Sequence, residues 1–226
     1  MRLTERDVKL LRDLTLSHVL SRDQILELGY FGSVTRVNTR LRGLKDLGLV
    51  EVIDTPFYSQ KLYKVMPKAA EIVGRRLSAL ATARIGSPRF LQHALTVTNV
   101  RIALKKNGAE QWLFEQQLRN EFRYGGRTYE VRPDGMATER GVPLIIEADL
   151  GHVSYPKLAE KLKAYNAFVL SGECTKAWLV PTYTVLFLVP GQTRASRVSG
   201  LLANPAFTLR VKTLSSLEIP SVGNWS

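Results

Sequence analysis

Residues Val131 to Tyr165 read VRPDGMATERGVPLIIEADLGHVSYPKLAEKLKAY. The β-rich run Thr128 to Val131 leads into a Pro-Asp-Gly turn. The apolar run Pro143 to Ile146 must be a buried strand, because four apolar residues in a row leave no polar face for solvent. The polar, lysine-bearing stretch after Tyr155 repeats its apolar residues Leu158, Leu162, Tyr165 and Val169 at helical spacing, so a helix follows with that stripe on the sheet. A strand, a turn, a second strand and a covering helix make this half of the chain an α/β layer.

The acidic residues fall where this layer ends. Asp134 sits in the turn, Glu147 closes the buried strand, and twelve residues separate them. Adjacent pairing of the two strands would bring both carboxylates together. Residues two apart on a strand share a face, so Asp149 points the same way as Glu147. Asp134, Glu147 and Asp149 are therefore candidate ligands for Mg²⁺ or Mn²⁺. Hard divalent cations prefer oxygen donors and keep several waters and substrate phosphate oxygens, so two or three protein carboxylates suffice. Lys157 and Lys161 lie at the edge of the helix stripe, where a lysine can bury its stem and bring its ammonium to a carboxylate cluster. Tyr165 lies on the packed stripe and Tyr155 at the helix start. These are the two candidates should a tyrosine hydroxyl act as nucleophile, whereas a metal-activated water needs neither.

Composition narrows the partners. The chain has 226 residues, 45% hydrophobic content and a formal net charge of +12. That apolar content supports one large core or two small ones. The excess of Lys and Arg favours a polyanion, since each phosphate neutralised releases counterions. No apolar run reaches the roughly 18 residues of a membrane span. Met1 to Asp13 is charged and helix-periodic, unlike a secretory leader, which predicts a cytoplasmic protein with no membrane partner. The single Cys174 can form no internal disulfide and has no ligand partner at metal spacing. Phosphate-binding Gly-x-Gly loops and a Ser-His-Asp order are absent, which removes support for nucleotide-dependent or acyl-transfer chemistry.

The polar stretch Ala81 to Arg89, with Gly86 and Pro88, predicts a boundary between domains at 1–88 and 89–226. In the first domain Thr4, Ser21 and Ser33 are N-caps for three helices carrying Val8, Leu11 and Leu14, then Ile25 and Leu28, then Val37, Leu41 and Leu44 up to a stop at Gly48. Strand-like Leu49 to Ile53 and Leu62 to Val65 flank a turn, and a helix Lys68 to Leu80 follows. Three helices and a hairpin read as a helix-turn-helix with a wing. With Val37, Leu41 and Leu44 inward, the third helix turns Thr35, Arg36, Thr39 and Arg42 outward, flanked by Arg40 and Lys45, with Lys61 on the hairpin. Arginine can bond guanine edges bidentately and the flanking cations suit phosphates, so double-stranded DNA is the expected partner. In the second domain the pattern predicts a helix Leu91 to Lys106, strands at Trp112 to Glu115, Phe122 to Tyr124, Thr128 to Val131 and Pro143 to Asp149, and a helix Pro156 to Leu170. Strands at Ala177 to Val180 and Thr184 to Val189, a helix Ala195 to Leu202 and a strand Phe207 to Val211 complete it.

The order PDG, a twelve-residue interval, E-x-D, then Lys161 and Tyr165 on a helix resembles the replication-relaxation proteins of plasmids and mobile elements, which include the MobC class of mobilisation relaxases. The resemblance covers most of the chain. It implies an α/β (α+β) protein, with an N-terminal winged helix-turn-helix followed by a PD-(D/E)xK restriction-endonuclease-like domain. The Pro-Asp of that nuclease motif falls on Pro133 and Asp134, and its second acid on Glu147. The motif's lysine has no match, because Asp149 occupies its place, so Lys161 or Lys157 would have to supply the ammonium. The resemblance implies Asp134, Glu147 and Lys161 as the catalytic set, and a DNA-binding protein that nicks or relaxes DNA in a metal-dependent way during replication or mobilisation, alongside other proteins of those processes. The missing lysine keeps open the alternative, a non-catalytic transcriptional regulator or replication accessory with a degenerate nuclease domain.

Overall fold

The computed structural model describes residues 2–56, 58–82, 87–219 and 222. They form a mixed α/β protein of two compact units, Met1–Ile102 with Pro220–Ser226 and Ala103–Ile219.

In the first unit, helices α1 (Glu5–Leu16), α2 (Arg22–Glu27) and α3 (Val34–Asp46) start where their caps dictate. Thr4 and Asp7 form a reciprocal capping box on α1, as do Ser21 and Gln24 on α2. Ser33 accepts from the Arg36 amide on α3. Each cap satisfies amides that the first helical turn leaves unpaired, worth about 1 kcal/mol apiece. After α3 the chain reverses at Gly48, whose φ of +70° is ordinary for glycine and strained for other residues. It then enters the antiparallel hairpin β2 (Val50–Ile53) and β3 (Leu62–Val65), to which the two-residue β1 (Leu20–Ser21) adds on the β3 side. Helices α4 (Ala70–Val73) and α5 (Arg75–Thr82) follow. Leu10, Leu11, Leu14, Ile25, Val37, Leu41 and Leu44 form the core of this unit.

Among the described residues of that unit two carboxylates are buried, and each is paired with a cation. Asp7 takes a two-pronged contact from the Arg40 guanidinium. Burial alone would raise the Asp7 carboxyl, but the Arg40 and Thr4 hydrogen bonds outweigh it and hold the group below its usual range. Asp13 accepts from Arg101 at 2.6 Å and from the Tyr30 hydroxyl at 2.7 Å. Arg101 belongs to α6 (Pro88–Lys106), whose Asn99 side chain and Leu95 carbonyl also accept from Gln24. These polar ties and the buried Leu91 and Leu95 place α6, as far as Ile102, in the first unit. The division thus falls later in the chain than the Ala81–Arg89 connection, of which residues 83–86 lie outside the described residues.

The second unit contains a five-stranded sheet in the order β10-β9-β8-β7-β4. Its strands are β4 (Glu110–Phe114), β7 (Gly135–Glu139), β8 (Val142–Ala148), β9 (Thr184–Val189) and β10 (Thr208–Thr213). The first three are antiparallel neighbours, and β8, β9 and β10 run parallel. Parallel neighbours need crossovers. These are α8 (Tyr155–Leu170) with α9 (Glu173–Trp178), and α10 (Gln192–Ser199). A short helix α7 (Glu115–Leu118) leads to a separate hairpin, β5 (Asn120–Tyr124) and β6 (Arg127–Val131). Ile145, Leu162, Tyr165, Phe168, Val185 and Phe187 are central to its core.

Two local expectations are corrected here. Among the described residues the strand before Asp134, β6, pairs with β5 alone, and the antiparallel neighbour of β8 is β7, the segment directly after Asp134. Gly135 is therefore a strand residue, not a turn residue. Its hydrogen is needed because the Trp112 indole lies against it, and a Cβ there would stand 2.7 Å from Trp112 Cη2. Residues Glu173–Trp178 are helical where a strand from Ala177 was expected. Gly172 enters that helix at φ +71°, and the Trp178 indole donates to the Leu118 carbonyl at 3.0 Å.

Candidate functional site

The β7–β8 pairing builds the acidic site in the second unit. Gly135 stands opposite Ile146, and the Asp134 amide donates to the Ile146 carbonyl at 3.0 Å. That register carries Asp134 alongside the end of β8, where its Oδ2 accepts from the Ala148 amide at 2.7 Å. Glu147, the penultimate residue of β8, is only 2% exposed. Helix α8 covers it with residues one turn apart: Lys161 Nζ donates to Glu147 Oε2 and Tyr165 Oη to Glu147 Oε1. The i, i+4 spacing explains why both reach one carboxylate.

Charge is distributed unevenly here. Burial pushes the Glu147 carboxyl up to about 7, with Asp134 adding to the rise while Lys161 and Tyr165 oppose it. Burial would lower the Lys161 ammonium, but Glu147 and Asp134 more than offset this, so it is held above its ordinary value. Burial and the Glu147 carboxylate push the Tyr165 hydroxyl well above its usual range. Glu147 binds a proton in the folded state at pH values where the unfolded chain has released it. The folded form is therefore progressively disfavoured as pH rises from about 4.5 to about 7, and the penalty is constant above that. Glu147→Gln should remove this dependence, so the stability difference between wild type and variant should change by on the order of 3 kcal/mol across the window. Urea unfolding followed by tryptophan fluorescence checks it. A difference that stays constant between about pH 5 and pH 8 would contradict the burial argument.

The other sequence candidates separate from this cluster. Asp149 lies beyond the end of β8, where Oδ1 takes the Gly151 amide at 3.0 Å and Oδ2 the Arg194 guanidinium. Both of its oxygens are thus engaged by groups other than those around Asp134 and Glu147. Among the described residues no group of three or more His, Cys, Asp or Glu stands close enough to hold a metal ion. Lys157 is exposed one turn before Lys161. Tyr165 is fully buried, its ring among Tyr183 and Phe207, which is a packing position rather than one from which a hydroxylate attacks. Tyr155 is partly exposed, with the guanidinium carbons of Arg194 and Arg197 5.0 and 5.4 Å from its ring centre. Sequence reasoning missed Arg194, whose 45-residue separation from Asp149 leaves no local signal.

In the first unit Thr35, Arg36, Thr39, Arg42 and Lys45 are exposed on α3, and Lys61 is exposed just before β3. Arg40 departs from the expected phosphate-contacting role because its guanidinium is committed to Asp7. A groove of about 500 Å³ runs between α3 and the hairpin, lined among others by Arg22, Asn38, Arg42, Lys45, Lys61 and Tyr63.

The family model described as replication-relaxation matches residues 11–181. No curated protein matches the chain. A solved structure, the crystal structure of protein VC1899 from Vibrio cholerae, aligns at 11% identity with a TM-score of 0.35, covering 96% of this chain and 55% of that one. The chain thus spans about half the length of that protein. No helix among the described residues is long and apolar enough to cross a membrane.

Proposed function

Because this chain belongs to the replication-relaxation family, we propose that it binds double-stranded DNA through the first unit and nicks or relaxes DNA, in a metal-dependent way, at the Asp134–Glu147–Lys161 cluster. In this reading the first unit is a winged helix-turn-helix and the second a PD-(D/E)xK-like domain in which Lys161, arriving from α8, stands in for the lysine that Asp149 displaces. The process served is replication or mobilisation of a plasmid or mobile element, with other proteins of that process as further partners, in the cytoplasm.

The observation that carries the reading is the convergence of Asp134, Glu147 and Lys161, from two strand ends and one helix, on a single point of the sheet. Asp134 and Glu147 form a hard oxygen-donor pair that fits Mg²⁺ or Mn²⁺ retaining most of its waters. Such a cation, when bound, supplies an activated water and positive charge for phosphoryl oxygens. The chain's own groups do the rest. In this proposal the Ala148 amide fixes the Asp134 carboxylate, the Tyr165 hydroxyl fixes Glu147, and Lys161, bonded to Glu147, supplies positive charge for the phosphoryl group.

A second reading has its own support. Both Glu147 oxygens already accept from Lys161 and Tyr165, and Asp149 is locked by Arg194. A regulator or replication accessory that binds DNA without cleaving it would tolerate such a closed arrangement. Both readings share the DNA-binding step, which the exposed cations of α3 and the hairpin support.

Fluorescence titration of duplex DNA should show strong salt dependence, about 0.9 ion released per phosphate contact. Arg36→Ala or Arg42→Ala should each weaken binding by about 1 to 3 kcal/mol if its side chain contacts a base. Unchanged affinity in the double variant would remove α3 from the interface.

A further inference from the structure

In the second unit, Tyr155 opens α8 and lies beneath two guanidinium groups of α10, those of Arg194 and Arg197. Residues three apart on a helix share a face, so one aromatic ring can receive both. The two arginines have different fates. Arg194 is spent inside the protein: it pairs with the buried Asp149 and donates to the Val153 carbonyl, tying the segment between β8 and α8 to α10. Arg197 is exposed, and among the described residues no carboxylate pairs with it. Its cation–π contact with the Tyr155 ring restrains a donor group that would otherwise lose more freedom on binding a ligand. Lys157, also exposed, follows two residues after Tyr155, and Lys161 lies one turn beyond it on the same helix face.

We propose that Arg197, held on the Tyr155 ring, is a DNA-backbone contact of the second unit that grips a phosphate near the Asp134–Glu147–Lys161 cluster. The proposal rests on the reading of the chain as a DNA-binding protein. The ligand chemistry follows from the donors: a guanidinium with free N–H groups bonds phosphate oxygens bidentately, and a preorganised, unneutralised cation gains most from a polyanion. Spacing agrees. Tyr155 and Lys161 are six positions apart on α8, an axial rise of about 9 Å. At 3.4 Å per nucleotide along one strand that is about three nucleotides. Tyr155 then acts toward Arg197 through its ring, as a platform, while its hydroxyl bears on Arg194 and not on the phosphate.

Arg197→Ala in the full chain, titrated with a short fluorescein-labelled duplex of mixed sequence, should lower the slope of log affinity against log salt by about one and weaken binding roughly five-fold at 0.15 M salt. Arg197→Lys should keep the slope while losing affinity, because the charge survives and the planar, bidentate guanidinium does not. Tyr155→Phe should match wild type, and Tyr155→Ala should bind more weakly. Arg123→Ala, an exposed arginine of β5, should leave binding unchanged, and Arg197→Ala should melt close to wild type because what it loses is one exposed cation–π contact. If Arg197→Ala leaves slope and affinity at wild-type values while Arg42→Ala lowers both, the proposal falls and the DNA-binding reading stands. If wild type itself shows no salt-dependent binding, both fall.

Discussion

Replacing Gly135 by alanine is expected to destabilise the protein by about 3 kcal/mol, near the upper end of overpacking costs, and to lower the melting temperature by roughly 10 °C. Gly135 has an ordinary strand conformation, so the cost has nothing to do with backbone freedom. It comes from Trp112, whose ring atoms occupy the position a Cβ would take. Trp112 lies where the β4–β7 register shifts, between Glu110 and Leu113, and Phe114 is paired directly with Gly135. Pushing the indole away therefore loosens the strand that holds Asp134 at its start. A smaller ring should relieve the clash, so Gly135→Ala combined with Trp112→Leu should cost less than the sum of the two single changes. Thermal melting of the four proteins tests this. Additive losses, or an alanine variant melting with wild type, would show that the ring moves aside freely.

The residues that were legible in the sequence share a local cause. Thr4, Ser21 and Ser33 each precede an amphipathic run, and a side-chain oxygen accepting from an amide three residues on is a contact that sequence spacing alone predicts. The hairpin of the first unit follows from period-two patterning between Leu49 and Val65. Helix spacing put Lys157 and Lys161 alike at the edge of the α8 stripe, and the resemblance singled out Lys161, whose ammonium reaches Glu147 near the end of β8.

What was not legible depends on partners far away along the chain. Strand β7 reads Gly-Met-Ala-Thr-Glu, with no apolar run, and its first residue closes a Pro-Asp-Gly that locally signals a turn. Its neighbours β8 on one edge and β4, which carries Trp112, on the other make it a strand. Arg40 sits at the edge of the α3 outward face by helical geometry, and the buried Asp7, 33 residues earlier, turns it inward. Asp149 shares strand parity with Glu147, but β8 ends at Ala148 and Arg194 takes the side chain. In both cases a buried carboxylate required an arginine, and the helical or strand period carries no information about which one.

The largest functional effect is expected at Asp134 and Glu147. If they hold a catalytic cation, loss of either anionic ligand removes the activated water together with the charge that steadies the phosphoryl group. Asp134→Asn and Glu147→Gln keep the size of each side chain and every hydrogen bond that an amide oxygen can still accept, and α3 is unaltered, so DNA affinity should survive. Lys161→Ala should slow the reaction while leaving cation binding in place, because the ammonium acts on the phosphoryl charge and not as a ligand. A covalent mechanism would behave differently, leaving protein attached to a DNA end and failing when Tyr155 becomes Phe.

The most direct measurement is conversion of a supercoiled plasmid carrying the element's origin to its nicked form, with Mg²⁺ or Mn²⁺ and with chelator, for wild type, Asp134→Asn and Glu147→Gln. The account predicts nicking by wild type only with the cation present, and none by either variant at DNA concentrations that saturate binding. Absence of cleavage by wild type with either cation, together with no heat of Mn²⁺ binding in calorimetry, would contradict it and leave the non-catalytic DNA-binding reading in its place.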